Sequence, residues 1–284
     1  MRKQIAAVAA LLVGAACGGS NDTQNAAAGK TFTYGTPSAA TSSQSSALQG
    51  QLAGAIALNG ATDASSAESL SDFGSVTSAL LGEVDVGGGL LSASPQALTI
   101  AGGSPLRRLA SVADSGTFDN PGCVTKTATS LTLSGCKISI SDSATSSTAT
   151  ITADGSATLG GQTLTWKFTI GVDLNDSSGD SASVTVGRSG TLTVTSASIQ
   201  GNVLSTLNGS WTVGGNSDSL AVSEAVILDG ITFQTNPDCI TGGTLEAKRV
   251  WAKRPSGMAA TDYPDRGAKV TWTGCGIVTV AFST

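Results

Sequence analysis

Five cysteines and a complete absence of histidine set the chemical limits of this chain. Without an imidazole there is no Ser-His-Asp or Cys-His nucleophile and no His-ligated metal. A Ser-Lys nucleophile is not supported either, because no Ser-x-x-Lys box stands on a helical pattern. Four of the cysteines lie in a frame that occurs twice. Asn120-Pro121-x-Cys123-Val124-Thr125 leads to Thr132-x-x-Gly135-Cys136-x-Ile138, and Asn236-Pro237-x-Cys239-Ile240-Thr241 leads to Thr271-x-x-Gly274-Cys275-x-Ile277. A zinc site made from these four would want a tight Cys-x-x-Cys pair, and the frame has none.

Three other groups could carry chemistry. The first is the basic segment Leu245–Gly257 with Tyr263–Lys269, which holds Arg249, Trp251, Lys253, Arg254 and Arg266 in an otherwise acidic chain of net charge -5. On one strand Arg249, Trp251 and Lys253 are expected to share a face, where Arg beside Trp permits a cation–π contact. Those five residues are the candidate site for an anionic, lipid or glycan ligand. The rival reading is a charged edge strand whose arginines pair Asp262 or Asp265. The second group is Glu224, which interrupts the apolar series Leu220, Val222, Val226, Leu228 and must be paired if buried. The third is Asp173–Asp180, which offers several carboxylates but lacks the glycine and the final glutamate of a calcium loop; a polar hairpin tip explains it. No cofactor is implied.

The amino-terminal residues say where this chemistry takes place. Arg2 and Lys3 precede the apolar run Ile5–Ala16, which at twelve residues falls short of the roughly 20 needed to span a membrane. It reads as an export signal. Its end, Gly14-Ala15-Ala16-Cys17 followed by Gly18-Gly19-Ser20, resembles the lipobox of bacterial lipoproteins, although Gly14 stands where an aliphatic residue is usual. The resemblance implies cleavage before Cys17, acylation of that cysteine, and anchoring in the cell envelope, with Gly18 favouring the outer membrane. Two or more acyl chains suffice for stable anchoring. The membrane is then one partner. Nucleic acid is not, because the chain has no extended basic surface. An exported chain sits where disulfides persist, and the repeated frame pairs Cys123 with Cys136 and Cys239 with Cys275.

The elements that must position these groups follow from periodicity. Residues 1–16 form the signal, and 17–46, polar and small, read as a flexible tether. Phe32 and Tyr34 mark a short piece of that tether expected to dock. Within 47–94, Leu48, Leu52 and Ile56 recur at helical spacing, and Ser65-x-x-Glu68 matches a capping box before Leu70, Phe73, Val76 and Leu80. From 95 to 284 the period becomes two. Leu164, Trp166, Phe168, Ile170 and Val172 alternate with polar residues, as in an antiparallel strand with one wet face. Asp154-Gly155, Gly160-Gly161, Gly187–Gly190, Gly201-Asn202, Gly214-Gly215 and Asp229-Gly230 are read as turns.

The expected fold is therefore mainly β: an antiparallel up-and-down meander, forming a curved sheet or partial barrel with two short helices over its apolar face. The expected function is a lipid-anchored, non-enzymatic binding or structural module. The alternatives are a carrier of an apolar ligand in a half-barrel and a carbohydrate-active enzyme using paired carboxylates. The last has little to draw on, with only four glutamates and none close in sequence to an obvious aspartate partner.

Overall fold

A computed structural model of the chain describes residues 25–56, 74–81, 118–120, 122–142, 147–235, 238–261 and 263–284. Cys17, Ser65–Glu68, Leu70, Phe73 and the first part of the expected β region lie outside them.

The strands are β1 (Ser38–Ala39), β2 (Val124–Lys126), β3 (Ser130–Asp142), β4 (Ser147–Gly160), β5 (Thr163–Asn175), β6 (Ser181–Val194), β7 (Ser198–Val213), β8 (Asn216–Thr235), β9 (Asp238–Lys253), β10 (Arg266–Gly274) and β11 (Ile277–Phe282). They form one open sheet in the order β1-β11-β10-β9-β8-β7-β6-β5-β4-β3-β2. From β2 to β11 every strand pairs antiparallel with its sequence neighbour, so the expected meander is what forms. It does not close into a barrel. Edges left open invite pairing with other chains, and here the last strand is covered by an earlier piece of the same chain: β1 pairs with β11, and Gly35 N–H and Ala40 N–H donate to Phe282 and Val278 carbonyls.

One face is apolar and dry. Leu164, Trp166, Phe168 and Ile170 of β5 are each 2% exposed. They belong to one core cluster with Leu131, Leu192, Leu228, Leu245 and Val270 from the neighbouring strands. Two helices close over it: α2 (Ser42–Ile56) contributes Leu48 and Leu52, and α3 (Gly74–Leu81) contributes Leu80 and Leu81. Helix α2 begins earlier than its apolar period suggests. Thr41 and Gln44 cap it reciprocally, with Gln44 N–H donating to Thr41 Oγ1 and Thr41 N–H donating to Gln44 Oε1.

The strands are longer than the glycine-based reading predicts. Asp154-Gly155, Gly187–Gly190, Gly201-Asn202 and Asp229-Gly230 all lie inside strands; Gly160-Gly161 and Gly214-Gly215 do form turns. Gly214 and Gly215 have φ of 58° and 80°, the positive pair that a two-residue hairpin turn needs. The mid-strand glycines serve close approach instead. At Gly190 a Cβ would run into the Trp166 ring, so the missing side chain is the space that ring occupies.

Both disulfides form as the repeated frame predicts, Cys123–Cys136 and Cys239–Cys275. In each copy the register shifts near the Gly-Cys step, between Leu133 and Cys136 and between Trp272 and Gly274. One bridge staples the β2–β3 edge, and the other ties β9 to the β10–β11 turn.

Candidate ligand-binding face

The opposite face of the sheet is wet, and the amino-terminal segment lies across it. The segment expected to be a free tether is tied down from Asn25 onward. The Asn25 side-chain amide donates to the Ser205 and Glu224 carbonyls, each at 3.0 Å, and Ala27 N–H donates to Ser223 Oγ. A short helix α1 (Ala26–Gly29) follows, and Ala27 is buried against Ala225 and Val250. Lys30 reaches Asp265 at 3.5 Å, Phe32 sits over Gly267, and Tyr34 bridges Ser283 before the chain enters β1. The docking expected of Phe32 and Tyr34 is observed, but it extends over the whole stretch from Asn25 to Thr41. Small residues make the strap possible, since alanines seat on the sheet where larger side chains would hold it away.

This strap divides the wet face. Along β8, Ser217–Ser219 lie on one side of it, Ser223–Ala225 beneath it, and Ile227–Asp229 on the other side. Two grooves result. The larger, about 810 Å³, runs over Asp173, Asn175, Ser183, Ser210, Ser219 and Lys253, with Asp218, Arg254 and Ser256 at its margin. The smaller, about 580 Å³, is lined by Thr191, Gln200, Asn202, Thr244, Glu246 and Lys269.

The larger groove is polar and electrically balanced: Asp173 and Asp218 against Lys253 and Arg254. Asp218 is occupied by its own surroundings, accepting from Ser219 N–H on Oδ1 and from Ser256 N–H on Oδ2. The Ser219 backbone hydrogen bond leads in holding its carboxyl below the usual range. Arg254 is held at the margin by Asp265 at 3.2 Å and by the Tyr263 carbonyl. In the smaller groove Glu246 is bracketed by Lys248 at 3.0 Å and Lys269 at 3.6 Å. Burial, and then the charge of Glu246, push the Tyr34 phenol up to about 12.

The five candidate ligand residues do not form one site. Arg249 and Trp251 are buried on the core face, paired across the ladder with Glu224 and Val222. Lys253 is on the other face, because the register shifts between Ala221 and Val222 and leaves Lys253 opposite Ala221. That bulge separates it from Arg249 and Trp251, which the alternation of an unbroken strand would have kept beside it. Arg254, not Arg249, supplies the guanidinium near Trp251, at 5.9 Å from the ring. Arg266 bonds the carbonyl of Leu81 at the end of α3. The arginine–aspartate pairing at Asp265 forms, and of the five candidates Lys253 and Arg254 border the larger groove.

Glu224 is accounted for on the core face. Arg188, Ser205, Glu224, Arg249 and Arg266 are in register across β6 to β10, a polar row under α3. Glu224 lies 2.6 Å from Arg249 Nε and accepts from Thr77 of α3 at 3.2 Å. The Asp173–Asp180 stretch is a hairpin tip: Asp176 Oδ1 accepts from Ser178 N–H, Ser178 Oγ–H and Asp180 N–H. Those bonds, led by the Ser178 hydroxyl, hold the Asp176 carboxyl below its usual range.

Sequence reasoning missed Asp173, Ser183, Ser210 and Ser219 as groove residues. Each stands at a polar position of an alternating strand, but their alignment is a cross-strand property: Asp173 faces Ser183, Ser183 faces Ser210, and Ser210 faces Ser219. No protein-family model matches the chain, and neither does any curated protein or any solved structure.

Proposed function

We propose that the chain is a lipid-anchored cell-envelope protein whose mature domain is a non-enzymatic glycan-binding module, with the ligand held in the larger groove. The observation that carries the ligand class is the groove's lining. Its hydroxyls, one amide and a balanced set of charges suit a neutral, polyhydroxylated ligand better than a strongly anionic one. At about 810 Å³ it is within the size of small-ligand clefts. Arginine and lysine, which argued from the sequence for an anionic ligand, are here matched by aspartates.

Two further features support this reading over its rivals. A carrier of apolar ligands needs an unfilled apolar cavity, whereas the apolar face among the described residues is packed by Leu48, Leu52, Leu80 and Leu81. A glycosidase needs one carboxyl with a raised pKa to act as acid. Asp218 shifts the other way and spends both oxygens on backbone N–H groups. The envelope anchor rests on the lipobox-like sequence at Cys17.

Calorimetric titration with neutral hexasaccharides and with polygalacturonate tests the ligand class. The expected result is saturable binding of a neutral sugar, weakened about tenfold by Asp173→Ala, which corresponds to ~1.4 kcal/mol. Binding of polygalacturonate alone, or neutral-sugar binding untouched by Asp173→Ala, overturns the assignment. Labelled palmitate incorporated by the wild type and not by Cys17→Ala tests the anchor.

A further inference from the structure

We infer that the strap-bearing face of the sheet is the membrane-facing surface of the protein and lies against the lipid headgroup layer. This rests on the proposal that Cys17 is acylated. Asn25, where the chain is tied to the sheet, is eight positions beyond Cys17. Fully extended, that length spans at most about 29 Å.

The tie point makes this limit decisive. Asn25 is bonded at Ser205 and Glu224, near the middle of β7 and β8. To turn the helix-covered side to the membrane, the tether would have to cross from β8 past β11 and β1. That crossing is about 19 Å at strand spacing, so even setting the sheet on its β1–β11 edge would take up about two thirds of the tether's reach. It would then have to descend past the sheet and a helix layer, roughly 15 Å more, which exceeds its reach. To stand the sheet on end, it would have to run some 25 Å to the nearer end of β7 or β8. Nearly all of its length would be used, with a heavy loss of chain entropy. With the strap face toward the membrane the tether needs no extension. Both grooves then open toward the headgroup layer, because they flank the strap on the same face.

Around the strap the lysines are matched by acids: Lys30 bonds Asp265, and Lys248 and Lys269 bond Glu246. Covalent reach is what separates the orientations, so the orientation should depend on tether length.

The test uses the full-length lipidated protein in phosphatidylethanolamine–phosphatidylglycerol vesicles that contain a nickel-chelating headgroup lipid. A spin label is placed at Ala26→Cys, exposed on the strap, or at Gln49→Cys, exposed on α2 across the sheet. The expected result is stronger relaxation by nickel at 26 than at 49, with the contrast lost when a long Gly-Ser spacer is inserted after Gly19. Equal relaxation at both positions in protein that floats with the vesicles overturns the orientation alone. Contrast that survives the spacer overturns the tether as its cause. Protein that does not float overturns the anchor, and the orientation with it.

Discussion

Glu224 and Arg249 face each other across the β8–β9 ladder, 2.6 Å apart and closed off beneath α3. Their side chains are 16% and 6% exposed, so water screens the pair little. Removing the carboxylate takes away the negative charge held against a buried guanidinium. Glu224→Gln is expected to lower unfolding stability by about 3 kcal/mol, whereas Glu224→Leu with Arg249→Met recovers most of that loss. Urea denaturation of the three variants checks this. A Glu224→Gln protein as stable as the parent would mean that the pair contributes nothing.

The two disulfides should not contribute equally. Their sequence separations are 13 and 36. In the chain-entropy model the shorter loop is worth about 3 kcal/mol and the longer just under ~4. Paired Cys→Ser variants, compared by urea midpoint, should rank the Cys239–Cys275 deletion as the more damaging.

Tyr34 gives an alkaline signature. Its hydroxyl is buried without a hydrogen-bond partner among the described residues, and its pKa is raised from 10.0 to about 12. A folded value above the unfolded one favours the protonated native state. The resulting stabilisation is complete below pH 10 and is lost as pH rises through about 12. Tyr34→Phe should therefore flatten the decline in melting temperature over that window. It should not destabilise at neutral pH, because it removes an unsatisfied buried group.

The Thr41–Gln44 cap predicts a local effect. Thr41→Ala removes one half of the reciprocal bonding at the start of α2 and should cost about 1 kcal/mol. Amide exchange should accelerate over the first turn of α2 and leave β5 and β6 unchanged. Exchange unchanged throughout would show that the cap is redundant.

Much of the architecture was legible because it follows from spacing along the chain. Leu164 to Val172 announced a strand with one dry face, and Leu48 and Leu52 announced a helix to cover it. The groove was not legible, since Asp173, Ser183, Ser210 and Ser219 are ordinary polar residues until register aligns them. The glycines misled for a physical reason. The freedom that lets Gly160-Gly161 turn a chain also lets Gly155 or Gly190 admit a neighbouring side chain in mid-strand, and composition does not distinguish the two.

By itself, the sequence determined the meander, the dry and wet faces, the cysteine pairing and the absence of histidine chemistry. Each is set by residue type and by separations of a few positions, or by a frame written twice. The tertiary structure decided who faces whom. The bulge after Ala221 moved Lys253 away from Trp251, register brought Arg249 to Glu224, and a run of small residues docked as a strap between two grooves. Those outcomes depend on the summed offsets of turns and bulges across many strands, and a single shift by one residue changes the face on which every later side chain lies.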